Sequence, residues 1–234
     1  MVRRTRLPNA SRGKRSGATS IDHRGTARTE RGRKTRAQLL DAARIVFVRE
    51  GFLHTRISDI CDEAGISHGN FYTYFASKEE ILQEIIDSFE LELLTLDAVP
   101  ADADPIERIR SANRHFLESV RDNAGIVAVI DQVVTFDADA RETRNRREDA
   151  FAAALERRAR QFQDDGLMDP RLDPRIAALA LGGMVYSFAN YMFVDRGREQ
   201  FDLDDVVEQL TLLWANAMGL RSSTGDTVVA RSPR

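Results

Sequence analysis

The chain has one cysteine, Cys61, among 234 residues. That excludes an internal disulfide and matches a reducing compartment. Its four histidines, His23, His54, His68 and His115, are too scattered for a local metal motif, so neither a metal nor a cofactor is expected. Gly-x-Ser-x-Gly elements, glycine-rich nucleotide loops and paired-carboxylate motifs are missing, which argues against an enzyme. Strand-like alternation is almost absent. No uninterrupted apolar run approaches the ~20 residues of a membrane span, so no membrane partner is expected. The basic N-terminus leads into no apolar stretch, so it does not read as a secretory leader, and the expected location is the cytoplasm.

Aromatic residues are also scarce, at 7% of the chain, and the first is Phe47. Residues 1–33 are rich in Arg, Ser, Thr and Gly, and such a segment buries too little apolar surface to offset its ordering entropy. It reads as a disordered basic arm, and residues 221–234 read as a disordered tail. Charge is divided unevenly. Residues 1–36 hold twelve Lys and Arg against two Asp and Glu, a net of +10, whereas the remainder holds 22 bases against 35 acids, a net of −13. An acidic body is a poor general binder of nucleic acid, so any DNA affinity must come from a local surface. The arm either adds phosphate or minor-groove contacts beside that surface or is a solvated extension.

What remains is helical. Leu40, Ala43 and Phe47, flanked by Leu39 and Val46, form one apolar stripe that Gly51 ends. Ile57, Ile60, Cys61 and Ala64 give a second helix one buried face, with Cys61 as a small core residue. Gly65 suits the left-handed residue after it, Thr55 is placed to cap that helix, and Ser67 to cap the next. Ser77 and Glu80 form a capping box at the head of a long fourth helix. Asp104-Pro105 and Asp173-Pro174 each place a capping acid before a proline, starting helices near 105–123 and 174–195. Helices near 124–135 and 138–165 lie between, and Asp202 or Asp204 opens a last one. The expected fold is all-α with about nine helices: a helix-turn-helix domain at 34–80 and a larger helical regulatory and dimerisation domain at 81–220.

The helix-turn-helix argument is geometric. Ile57 and Ile60 pack the second helix, and Phe71 and Phe75 pack the third at i, i+4. His68, Gly69, Asn70, Tyr72, Thr73 and Tyr74 are left at the start or on the open faces of the third helix, where a recognition helix reads bases. Asn70 suits adenine, Thr73 a thymine methyl or a phosphate, and the tyrosine hydroxyls reach phosphates. Thr55 can donate to a phosphate, and Lys78 adds a cation at a helix N-terminus.

Residues 36–82 resemble the DNA-binding domain of the TetR family of transcription regulators. The likeness rests on Leu-Leu-Asp-Ala-Ala-Arg-Ile-Val-Phe (39–47), Gly-Phe (51–52), Ile-Ser-Asp-Ile (57–60), Glu-Ala-Gly-Ile-Ser (63–67), Gly-Asn-Phe-Tyr-Thr-Tyr-Phe (69–75) and Ser-Lys-Glu (77–79). The resemblance implies a homodimer built by a four-helix bundle of the last two helices, operator DNA as partner, and release from DNA on binding a small-molecule effector. It implies DNA-facing roles for Thr55, His68, Gly69, Tyr72, Thr73, Tyr74 and Lys78. His68 stands where Lys is frequent and Tyr74 where His is frequent, which bears on the operator sequence rather than on the mode of binding.

The regulatory body has to be read from its own residues. Segment 174–194 is apolar nearly all round and is expected to be buried on most sides, with small residues Ala177, Ala180 and Gly183 permitting close helix approach. Val206, Leu210, Leu213, Trp214 and Ala217 form one stripe of the last helix, and both helices suit an intersubunit bundle. Expected effector-pocket residues are Phe116, Ile130, Phe151, Phe188 and Tyr191, with Ile126, Val133 and Phe136 as further apolar candidates and His115, Asp131 and Asn190 as polar ones. The expected effector is a hydrophobic or amphipathic small molecule. The leading reading is a ligand-responsive repressor; an enzyme and a protein-interaction adaptor that has lost DNA binding are the competing classes.

Overall fold

The computed structural model describes residues 29–94, 103–136, 138–195 and 201–220. Among these residues there are nine α-helices: α1 (Glu30–Glu50), α2 (Ile57–Ala64), α3 (His68–Phe71), α4 (Lys78–Leu94), α5 (Pro105–Asp122), α6 (Ala124–Phe136), α7 (Ala138–Asp164), α8 (Pro174–Ala189) and α9 (Leu203–Met218). A π-helical turn, Asn190–Val194, extends α8.

Helix starts follow local chemistry. Asp104, Asp173 and Asp202 each accept from backbone amides in the first turn of α5, α8 and α9, relieving orphan donors. Gly65 after α2 and Gly219 after α9 are left-handed, at φ 63° and φ 60°. At the head of α4, Ser77 Oγ accepts from Glu80 N–H at 3.2 Å, whereas the Glu80 carboxylate reaches Ala76 N–H, one residue earlier than the expected box. Helix α1 begins at Glu30, with Thr29 Oγ accepting from Gly32 N–H, so residues 30–33 are helical and not part of an arm. The rest of the proposed arm and the proposed tail lie outside the described residues.

Two caps depart from expectation. Ser67 holds the N-cap position of α3 but makes no side-chain cap bond. Thr55 does not cap α2: the N-cap is Arg56, whose N–H donates to Asp59 Oδ2 at 2.8 Å, while the Thr55 hydroxyl donates backwards to Gly51 O at 2.8 Å.

Apolar side chains gather into three clusters. The first joins α1–α4 through Leu39, Phe47, Ile60, Phe71 and Ile81, and it extends into α6 through Ile126, Val129 and Val133. The second holds Phe89, Leu117, Val127, Val185 and Val207, and the third Ile109, Phe162, Met168 and Met218. Helix α7 packs along α8, and α5 along α9. The α5–α9 seam is fastened by Arg110–Glu208 at 2.6 Å, Arg114–Asp204 at 2.7 Å and a buried Asn113–Thr211 hydrogen bond. Cys61 is buried as expected, and desolvation raises its thiol pKa.

Helix α8 is not buried on most sides. Ile176 is 68% and Leu179 49% exposed, and Ala180, Gly183, Ser187 and Tyr191 continue that open stripe at helical spacing. Ala177 instead packs into the third cluster. The α9 stripe divides likewise: Val206 and Leu210 face inward, whereas Leu213 faces out, next to an exposed Leu212 outside the stripe. Counted with its π turn, Pro174–Val194 spans 21 residues with mean hydropathy 1.4, long and apolar enough to cross a bilayer. That corrects the expectation of no such run; the apolarity here serves one face packed on α7 and one face left open.

Candidate functional site

The reading unit is short. After α3 the chain continues in tight turns, with Thr73 N–H donating to Asn70 O at 3.2 Å and Tyr74 N–H to Phe71 O at 2.8 Å. These i→i−3 bonds overwind the segment, so side chains three apart eclipse. Tyr74 therefore follows Phe71 into the core and is 5% exposed. The expectation that it faces DNA is corrected on that ground. Tyr72 is 53% exposed, its ring edge-on to Phe71 and His68 at 5.6 and 5.4 Å between centroids. His68 and Gly69 are exposed; Asn70 and Thr73 are half-buried. Those five residues form the accessible part of the expected reading surface.

Thr55 is only 2% exposed and its hydroxyl proton is committed to Gly51 O, so phosphate donation from that hydroxyl is also corrected. Lys78 has a role the sequence did not suggest. Its Nζ donates to Phe52 O at 2.8 Å and Thr55 O at 3.0 Å and sits 4.5 Å from the Phe52 ring centroid. Two of its three donors thus brace the α1–α2 loop from the head of α4. Lys78→Met is expected to cost about 1.5–3 kcal/mol, the range for hydrogen bonds to a charged group; thermal unfolding against wild type measures it.

The regulatory body encloses a cavity of about 410 Å³. Of the residues expected at an effector pocket, Phe116, Ile130, Asp131 and Phe151 line it. His115, Phe188 and Tyr191 do not: His115 Nε2 bonds Glu92 O at 2.8 Å, Phe188 stacks with Tyr191 and Phe201, and Tyr191 lies on the open face of α8. Arg144, Glu148 and Tyr186 also line the cavity. Arg144 pairs with Asp131 at 3.1 Å and Glu148 at 2.8 Å, and donates to Tyr186 Oη at 3.2 Å. Burial raises the Asp131 carboxyl above its ordinary value, outweighing Arg144, and raises the Tyr186 phenol too. The sequence signal for this cluster was Arg144 and Glu148 at i, i+4 on α7, indistinguishable from a solvated helix face.

Helix α6 connects the two regions. Ile130 and Val133 line the cavity and also pack on the first cluster. Gly125 lies so close to α1 that a Cβ there would stand 2.8 Å from Val48 Cγ1. Arg44 of α1 donates to Asn123 Oδ1 at 3.0 Å.

Comparison with known proteins supplies the family. Residues 39–85 match the bacterial regulatory proteins of the tetR family, and residues 102–202 match the tetracyclin repressor-like C-terminal domain. The HTH-type transcriptional regulator YfiR of Bacillus subtilis, itself uncharacterized, is 31% identical over 58% of this chain and 69% of its own length. The chain belongs to the TetR family. The HTH-type transcriptional repressor KstR2 of Mycobacterium tuberculosis is 33% identical over 40% of this chain and 48% of the repressor. Its solved structure, described as a ketosteroid transcriptional regulator, superposes with TM-score 0.58 at 21% identity, over 83% of this chain and 97% of that one. Salmonella enterica GusR superposes with TM-score 0.66 at 20% identity, over 82% and 98%. At such identities the superpositions speak for the fold alone. TetR-family proteins are transcriptional regulators, not enzymes, and act as dimers on operator DNA under small-molecule effectors.

Proposed function

We propose that this TetR-family protein is a cytoplasmic repressor, displaced from its operator when a hydrophobic or amphipathic molecule occupies the 410 Å³ cavity. The observation that carries the reading is α6, which walls the cavity and packs into the core beneath α3 with the same side chains. A ligand that presses on Ile130 and Val133 acts on the reading domain's own core. If it binds better to the arrangement in which the two reading units of a dimer mismatch the operator, it shifts the population off DNA. His68, Gly69, Asn70, Tyr72 and Thr73 read the groove, and Lys78 offers its remaining N–H to a phosphate. The open stripes of α8 and α9 form the dimer interface and set the spacing of the reading units.

A mobility-shift assay on the gene's own upstream DNA, at stated salt, tests this. Wild type is expected to shift the DNA. Tyr72→Ala is expected to weaken binding by roughly 10-fold or more, about 1.4 kcal/mol, with an unchanged melting temperature because the ring is exposed. An undiminished shift would remove the surface from the reading.

A further inference from the structure

A second cavity, of about 320 Å³, adjoins the first. Phe116, Phe151 and Leu155 line both, and the two phenyl centroids stand 6.1 Å apart where the chambers meet. The chambers differ in charge. In the first, Arg144 is matched by Asp131 and Glu148. The second is lined by Arg108 of α5 and Arg158 of α7, and none of its lining residues is acidic. Arg108 rests its guanidinium 5.1 Å from the Phe162 ring centroid, and neither arginine has a carboxylate partner among the described residues. Arg158 is an exposed residue on the wall of this chamber. Desolvation, then repulsion from Arg108 and Arg157, lowers its pKa from the ordinary guanidinium value. Trp214 lines the same chamber, and its buried indole N–H has no acceptor among the described residues.

Two neighbouring cations beside an apolar hollow favour an anion there, and a guanidinium pair suits an oxyanion's planar, multiply accepting geometry. A small inorganic anion would leave the apolar walls unfilled, while an uncharged hydrocarbon would leave the cations unmatched. We propose that the second chamber takes the carboxylate or phosphate head of an amphipathic effector between Arg108 and Arg158, and that the effector's apolar chain runs past Phe116 and Phe151 into the first chamber. This deepens the reading of the first cavity as the effector site and rests on it.

Trp214 is the only tryptophan of the chain and therefore reports entry directly. Dodecanoate, dodecyl phosphate and dodecanol, each below its aggregation concentration, are titrated into the full-length protein while tryptophan emission is followed. At least one anion is expected to bind tenfold or more tightly than the alcohol, and the ratio of the two anions tells carboxylate from phosphate. Arg108→Gln combined with Arg158→Gln is expected to erase that preference and leave dodecanol binding as it was. Arg158→Lys, which keeps the charge, is expected to retain most of it. Equal affinity for alcohol and anions in wild type, a preference that survives the double replacement, or no binding of any probe would overturn the proposal. Operator release, measured separately, distinguishes the two levels: release by dodecanol without any anion preference defeats this inference alone, whereas tight anion binding that never releases DNA defeats the effector reading beneath it.

Discussion

Phe71→Ala is expected to destabilise the reading domain by about 3–5 kcal/mol, the range for emptying a phenylalanine site in a packed core, and to abolish operator binding. Phe71 is wholly buried and is the only buried residue of α3. That helix has four residues, far below the length at which a helix persists alone, and Ser67 supplies no side-chain cap. Its position is therefore dictated by Phe71, Tyr74 and Phe75 anchoring it to the core of α1, α2 and α4. In a chain of this size the midpoint of thermal unfolding is expected to fall by roughly 6–20 °C. Tyr72→Ala is the control: one residue along, on the exposed side, it removes DNA contact without removing core. If Phe71→Ala melted like wild type or still shifted operator DNA, the anchoring account would be wrong.

The contrast between Phe71 and its neighbours also shows where the sequence was transparent. Aspartates before proline and a glycine after an apolar stripe carry their own structural meaning, so Asp104, Asp173 and Gly65 could be placed in advance. Tyr74 could not. At i+3 from Phe71 it belongs to the Phe71–Phe75 face by helical spacing, but its hydroxyl drew the reading toward DNA; the overwound turn after α3 only tightens that inward placement. Thr55 was misread, and the bracing role of Lys78 missed, because residue type announces a hydroxyl or an ammonium but not which carbonyl lies within its reach.

The cavity was legible in part because Phe116, Ile130 and Phe151 are large and apolar wherever they fall. On α8 the relevant positions are the small ones. Gly182 admits Leu155, whose Cδ1 would stand 2.8 Å from a Cβ there, and the adjoining Tyr186 reaches the charged cluster. Of the aromatic residues along this segment, the sequence reading took Phe188 and Tyr191, which pack elsewhere, and passed over Tyr186. Arg108 and Arg158 escape sequence reading altogether, since two arginines fifty residues apart become a site only when α5 and α7 bring them to one chamber without acids.

Ala180→Glu is the second large effect expected. Ala180 lies midway along the open stripe of α8, between Ile176 and Gly183, and touches neither chamber. One turn on, Gly183 is exposed as well, though it also borders the first cavity, so small side chains keep this part of the face low enough for another helix to approach. Small residues at the centre and large apolar ones at the ends, Ile176 and Tyr191 here with Leu212 and Leu213 on α9, suit a symmetric four-helix packing across a two-fold axis. Within one protomer glutamate at position 180 points into water, so its fold and melting temperature are expected to change little, by about 0.5 kcal/mol at most. If this face is the dimer interface, as proposed, the substitution places a carboxylate from each protomer in it, and burying unpaired charge is severely unfavourable. Sedimentation is then expected to show monomers at concentrations where wild type is dimeric. Because two linked readers gain affinity through effective concentration, operator binding is expected to fall roughly 10²–10⁴-fold while binding to an isolated half-site is kept. A dimer of unchanged mass with full operator affinity would place the interface on another face of the molecule, and the coupling through α6 would then have to set the spacing of the reading units by a different route.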